Sequence, residues 1–332
     1  MEILRRVPDQ EESFSIAIEA VIPAEPPSRL MEVAYGFEIG SSKERGRRGF
    51  EVISEVCELR SNGQTWRFYV SHGRVKIEPA GDDAAFALYG PDRLYLLVAG
   101  GQSPFDWLYS GLRTMPFFKF APDVIRAPQR PTTGATLGLR GEHLGDVLAA
   151  LTLDFPWYKQ RIDAYLQSIA PGVSSIDPLY LDQYVTVSMQ ANTGSDGDAV
   201  EFSSSSMSDG TIRAAAVLAA LFQPSTLEGR VRLIGIEEPE LALHPAAAGA
   251  LFDALTEASE HVQVIATSQS AELLDREDLD VSMIRPVTME DGVTFIGEVD
   301  SISREIAEEK LYTLGELMRR NQLLPEHDSP ET

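Results

Sequence analysis

Leu233-Ile234-Gly235-Ile236-Glu237-Glu238-Pro239-Glu240 is the stretch on which the fold turns. The apolar, β-branched run over 231–236 reads as a buried strand. It delivers two adjacent carboxylates, Glu237 and Glu238, into a turn whose backbone Pro239 restricts, so the two side chains diverge. In that arrangement one carboxylate can face a metal-bound phosphate and the other a water. A hard Mg2+ ion prefers oxygen ligands, and a neighbouring carboxylate can orient or deprotonate an attacking water. Read alone, the same residues also fit a solvated acidic turn.

Two further motifs sit in matching positions. Met207-Ser208-Asp209-Gly210-Thr211 directly precedes an Ala/Leu-rich helix over 211–222. Ser208 or Asp209 can cap that helix, Gly210 permits close backbone approach, and the free amides of the first turn suit an anion. Val264-Ile265-Ala266-Thr267-Ser268-Gln269-Ser270 is a second apolar strand that runs into small hydrogen-bonding groups able to sense a phosphate or place a water. In an open α/β sheet, strand ends and helix starts line the ligand crevice. Singly, each motif also reads as an ordinary helix start or polar strand end.

Outward from these motifs, helix and strand alternate: a helix over 246–259 and a strand over 262–266 imply parallel strands with crossover helices. Edge strands are expected at 281–285 and 293–299. Upstream, 143–153 and 157–170 read as amphipathic helices, and 184–190 and 199–203 as strands. Short alternating runs at 14–22, 30–39, 50–59, 65–70, 75–79 and 93–98 carry the period-2 signal of an antiparallel meander, with Ser61-Asn62-Gly63 and His72-Gly73 as turns. The expected organisation is a β-rich lobe over 1–125, a helical connecting segment over 126–200, an α/β segment over 201–300, and C-terminal helices with a polar tail over 301–332.

Composition limits the alternatives. The 332 residues carry 28 Lys and Arg against 51 Asp and Glu, a formal net charge of −23, with 43% hydrophobic and 24% charged residues. Such a chain can bury a core, and its acidity argues against tight non-specific binding to phosphate backbones; any nucleic-acid contact needs a local patch or another subunit. Cys57 is the only cysteine, which excludes an internal disulfide framework and fits a reducing, cytoplasmic compartment. No apolar run reaches the roughly 20 residues of a membrane span, and Glu2, Asp9, Glu11 and Glu12 stand where a signal peptide would be apolar. His72, His143, His261 and His327 lack metal-ligand spacing and read as surface or capping residues. Lys43, Arg45, Arg47 and Arg48 read as a solvated hairpin loop. The serines at 203–206 have no visible His–Asp partner.

The order and spacing of the three motifs resemble the C-terminal half of an ABC-type ATPase domain of the SMC/RecF-like kind found in AAA family ATPases and OLD nucleases. In that comparison Ser208-Asp209-Gly210-Thr211 is similar to the signature loop, 233–238 to the Walker B strand, Leu241-Ala242-Leu243-His244-Pro245 to the D-loop and 267–270 to the switch region. The segments 117–126 and 141–151 and Leu314-Gly315-Glu316-Leu317 also resemble the family. The resemblance implies an α/β ABC-type P-loop NTPase-like head, a mixed sheet with flanking helices and an antiparallel β-rich subdomain near the front. It implies ATP and Mg2+ as cofactors, Glu237 supporting the metal, Glu238 as general base, and Ser208, Asp209 and Gly210 at the phosphates of a nucleotide held by the opposite subunit. His244 would lie at the dimer seam. Gln269 takes the catalytic switch position where relatives commonly carry histidine; it can hydrogen-bond but cannot become cationic.

These ATPases begin with a strand, a G-x-x-x-x-G-K-[ST] loop and a helix, and nothing in 1–332 fits that pattern; Gly40-Ser41-Ser42-Lys43-Glu44-Arg45-Gly46 has neither the spacing nor a following helix. The first strand and P-loop are therefore expected upstream of Met1, on a separate polypeptide, or lost in a degenerate relative. The omitted strand is expected beside the Walker B strand. Function is expected to be ATP hydrolysis coupled to a dimerisation switch, in DNA repair or phage defence, with a homodimer, a P-loop-bearing subunit or a nuclease as partner. The alternative is a truncated or inactive relative that serves as an interaction module. An OLD-type nuclease fits poorly, because about 60 residues follow the switch motif.

Overall fold

The computed structural model describes residues 13–24, 29–42, 49–71, 73–79, 92–134, 136–192, 199–277 and 279–326. His72, His327 and the basic cluster Lys43, Arg45, Arg47 and Arg48 lie outside them. The chain divides into two compact units, 1–114 and 115–332. The fold is mixed α/β with several sheets.

In the first unit, β1 (Ser13–Ala24), β2 (Arg29–Ser42), β3 (Gly49–Ser61), β4 (Gln64–Ser71) and β5 (Arg74–Glu78) pair in sequence order as an antiparallel meander. Ser61 pairs with Gln64 across a two-residue loop in which Asn62 and Gly63 both have positive φ, 49° and 76°. That is the backbone a tight hairpin needs to match strand twist, and Asn-Gly is the pair that adopts it most readily. Alternation places Cys57 and Leu59 of β3 inward beside Met31, Val33 and Phe68. Two helices close this core, α1 (Leu96–Ala99) and α2 (Phe105–Arg113). The Phe68 ring meets Tyr95 at 5.2 Å and Phe105 at 5.3 Å, both edge-on.

The strand expected at 93–98 is instead the turn and helix of α1. In that helix Leu96 and Ala99 are buried and Leu97 is exposed. The two amides that open this turn also have a partner that the sequence does not announce. Glu55, on the inward row of β3 and fully buried, accepts hydrogen bonds from the Leu96 amide at 2.9 Å, the Tyr35 hydroxyl at 3.0 Å and the Tyr95 amide. Burial raises the Glu55 carboxyl above its ordinary value, and the three donors only partly oppose this. A raised carboxyl pKa favours the protonated form in the folded state. Its contribution is therefore complete below the unfolded-state carboxylate pKa and is lost as pH rises through the folded value. Denaturation of the wild type and Glu55→Gln from pH 4 to pH 8 should accordingly show the wild type losing stability relative to the variant as pH rises; a constant gap would refute this.

The second unit opens with β6 (Phe117–Phe118), α3 (Pro122–Arg126), α4 (Leu144–Asp154) and α5 (Pro156–Ile169). An antiparallel sheet follows, β7 (Val173–Leu181), β8 (Tyr184–Asn192) and β9 (Ala199–Ser203), and then α6 (Asp209–Phe222), α7 (Pro224–Leu227), β10 (Leu233–Glu237), α8 (Ala248–Ser259) and β11 (Gln263–Thr267). The hairpin β12 (Val287–Glu290) and β13 (Val293–Ile296) and helices α9 (Ser301–Glu308) and α10 (Leu314–Arg319) complete it. The stretch expected as a strand at 281–285 begins as a 3-10 turn, Val281–Met283, because Asp280 caps it through the Ser282 amide at 2.9 Å. Val299, at the end of the strand expected over 293–299, makes only an isolated bridge to Pro325.

The centre of this unit is α6. Every residue from Ala214 to Phe222 is buried, and a helix apolar all round belongs inside a core rather than on its surface. It packs with α4, α5 and α8 around Leu148, Leu151, Ile162, Leu166 and Leu251. Beside it runs a parallel three-stranded sheet in the order β11-β10-β6. With β11 on one side and β6 on the other, β10 offers no free edge to a further strand, which corrects the expected placement. The outer edges of this sheet, among the described residues, are those of β11, where Ile265 is 46% exposed, and of β6, where Phe117 is 61% exposed.

Among the described residues no helix is long and apolar enough to cross a membrane.

Candidate nucleotide site

Strand order alone brings two of the three motifs together. β10 and β11 pair in register from Leu233 with Gln263 to Glu237 with Thr267, so both polar ends emerge at the same edge. The Glu238 amide donates to the Thr267 carbonyl at 2.9 Å, which extends the pairing one residue past β10. Glu238 has φ 44°, in the left-handed region that a non-glycine residue occupies at a cost of roughly 1–2 kcal/mol. This turn sends its carboxylate towards the switch segment. There the Gln269 side-chain amide donates to Glu238 Oε1 at 2.8 Å.

Glu237 points elsewhere. Its Oε2 lies 2.5 Å from Lys119 Nζ, with the two side chains 54% and 78% exposed. The hydrogen bond to Glu237, and its charge, hold the Lys119 ammonium above its ordinary pKa. Glu240 faces back into the protein and ties down the switch: its Oε1 accepts from Ser268 Oγ at 2.6 Å and from the Gln269 amide at 3.3 Å. Glu240 Oε2 is buried without a hydrogen-bond partner.

The third motif arrives through α6. Ser208 is its N-cap and accepts the Thr211 amide at 3.0 Å, while Asp209 is the first helical residue. That resolves which of the two caps. Asp209 instead pairs with Arg126 at 2.6 Å, and Arg126 also donates to the Met207 carbonyl at 2.9 Å. Gly210 lies against the turn after β10, where Ala242 has φ 67°; a Cβ on Gly210 would stand 2.3 Å from the Ala242 carbonyl oxygen. His244 is exposed and caps the short turn Pro245–Ala247 through the Ala246 amide at 3.2 Å. Residues of this turn and of the switch, among them Glu238, His244 and Gln269, line an open hollow of about 320 Å³.

The contact at Gly210 is backbone against backbone, so neither side can yield by rotating a side chain. Gly210→Ala is expected to destabilise the protein by about 1–3 kcal/mol in urea unfolding. Gly249→Ala is the control: it lies in α8 with nothing within 4 Å, and gains helix propensity instead. Equal effects of the two substitutions would show that the Gly210 contact is not tight.

Mg2+ fits only part of this donor set. Among the described residues no group of three or more His, Cys, Asp or Glu is arranged to hold a metal. A single exposed carboxylate, Glu237, already carrying the Lys119 cation, suits an ion that keeps most of its waters and takes further oxygens from a phosphate. Lys119 and Arg126 were not singled out from sequence. Their only signal was membership of the segment 117–126, which reads as family-like without marking either side chain.

Residues 140–275, from the start of the α4 region to the end of the switch, match the family described as "AAA domain, putative AbiEii toxin, Type IV TA system". Over this stretch the chain is similar to an AAA-family ATPase domain. The family is one of nucleotide-binding ATPases. Among solved structures the chain is similar to an SmcHead bound to the C-winged helix domain of ScpA, with 13% identity, TM-score 0.40, and 82% of this chain and 76% of that one covered. It is similar also to the SMC head domain from Thermotoga maritima, with 12% identity, TM-score 0.34, and coverage of 81% and 74%. A third is the Smc head domain with an extended coiled coil bound to the C-terminal domain of ScpA from Pyrococcus furiosus, with 13% identity, TM-score 0.34, and coverage of 84% and 80%. No curated protein matches the chain.

Proposed function

We propose that the AAA-family domain hydrolyses ATP, with Glu238 as general base and Gln269 as the group that orients it. The observation that carries this reading is the Glu238 carboxylate, turned out of the strand by a left-handed backbone and held by Gln269 at 2.8 Å beside an exposed Glu237. Strained non-glycine backbone at the end of a parallel strand is a feature that folds keep where a side chain must be aimed. Bound Mg2+ would supply charge for the phosphates, held by Glu237 and otherwise by water and nucleotide oxygens. Glu238 accepts the proton of the attacking water at a carboxylate oxygen, and Gln269, neutral at every physiological pH, positions that oxygen without competing for the proton.

Ser208, Asp209 and Gly210 contribute differently. The Ser208 oxygen is engaged with Thr211, and Asp209 with Arg126, so the face offered to a phosphate is the amide-bearing entrance of α6. In this reading the entrance serves a nucleotide carried by a second copy, and His244 lies at the seam between the two. The open edge of β11 is where a strand from a P-loop-bearing polypeptide would extend the sheet and bring a phosphate cradle to the same end as Glu237. A repair or phage-defence role remains an inference from the family alone.

Titration of the full chain with a fluorescent ATP analogue and Mg2+ tests the site, wild type against Glu238→Gln. Longer retention by the variant supports a hydrolytic cycle. No binding by either form favours the second reading, an interaction module without turnover.

A further inference from the structure

We infer that Lys119 is the resident cation of this site: it neutralises Glu237 when no divalent ion is present and turns to phosphate oxygens when one is. The inference rests on the nucleotide reading above and assigns to it a residue outside the three motifs.

The position follows from register. Phe117 and Phe118 of β6 pair in parallel with Gly235 and Ile236, so the next residue, Lys119, stands level with Glu237. The backbone there is held firmly. Phe118 and Phe120 on either side are 1% and 4% exposed with their rings stacked at 5.3 Å, and the Lys119 amide donates to the Leu139 carbonyl at 2.9 Å. The side chain is the opposite, 78% exposed, and reaches Glu237 Oε2 at 2.5 Å. A fixed base carrying a solvent-exposed ammonium on a long stem is a geometry for exchanging partners rather than for locking one.

Electrostatics sets the order of exchange. Glu237 and Glu238 put two carboxylates on consecutive residues; Glu238 is turned to the neutral Gln269, and Lys119 is the cation paired with Glu237. A divalent ion that takes Glu237 would place its charge beside the ammonium, and the two repel. Lys119 must then leave, and a triphosphate bound to the same ion presents the nearest replacement anion, which an ammonium engages through a charge-assisted hydrogen bond. An ornamental surface pair would make no such exchange and would contribute little to anything.

The two halves of the inference predict effects of opposite sign, which a structural role does not. With Mn2+ alone as probe, read by its electron paramagnetic resonance signal, Lys119→Met should bind the ion about two- to fivefold more tightly than the wild type, because the competing cation is gone. With MgATP as probe, read by calorimetry, the same variant should bind about fivefold more weakly, the lost phosphate contact outweighing the relieved competition. Lys119→Arg, which keeps the charge, should restore MgATP binding. A variant that weakens both ligands, or changes neither, overturns the inference. If the wild type binds no MgATP while the Mn2+ effect is present, the nucleotide reading has failed, and with it the phosphate role of Lys119, whereas the competition at Glu237 stands. An unchanged Mn2+ affinity alongside normal MgATP binding overturns the role of Lys119 alone.

Discussion

If the proposed hydrolysis holds, Glu238→Gln is expected to lower ATP turnover by about two to four orders of magnitude in a phosphate-release assay and to leave the fold intact. The size follows from removing a positioned general base, whose usual contribution is of that order. The fold survives because the substitution is nearly isosteric at a half-exposed position, and a glutamine carbonyl can still accept the hydrogen bond from Gln269. The left-handed backbone at 238 strains glutamine as it strains glutamate, so the strain cancels in the comparison. Turnover within threefold of the wild type would remove Glu238 from the chemistry. A large fall in melting temperature would show that the turn after β10 depends on the charge itself.

Phe222→Ala costs about 3–5 kcal/mol of stability and places the second unit at the edge of folding. Phe222 closes α6 with no exposed surface, and its ring stacks on Tyr158 at 6.0 Å and on Tyr165 at 6.3 Å. Both tyrosines come from α5, so the substitution opens a cavity at the seam of two central helices. Neither tyrosine can fill it freely. The Tyr165 hydroxyl donates to Glu257 at 2.6 Å, and Arg161 lies over its ring at 4.8 Å. Urea unfolding followed by circular dichroism checks the value. A loss below about 1 kcal/mol would mean that α5 and α6 close over the gap, contrary to the anchoring of Tyr165.

Both substitutions concern elements whose existence is plain from residue pattern. The Ala-rich run before Phe222 and the apolar run before Glu237 have one periodicity each and strong boundaries, a capping serine for the first and a proline turn for the second. Elements with mixed patterns were harder to read. Tyr95-Leu96-Leu97-Val98 carries no decisive period, and what makes it a helix is a carboxylate on a strand forty residues earlier. The strand β7 passes unread because Pro178 sits inside it, a residue more often found at a strand's edge or end, and its pairing with Val187 becomes apparent only in the sheet.

The candidate site divides along the same line. The sequence alone establishes that acids follow one apolar strand, that small polar groups follow another, and that a serine opens a helix, because hydrophobic period, turn chemistry and capping act over a few residues. Tertiary structure decides the rest. It places Lys119 on Glu237, turns Glu238 to Gln269, clamps Asp209 with Arg126 across 83 residues and seats Gly210 on Ala242. Those partners are set by the strand order β11-β10-β6 and by the packing of α6, and a charge on one segment carries no local mark of which distant charge the folded sheet will bring beside it.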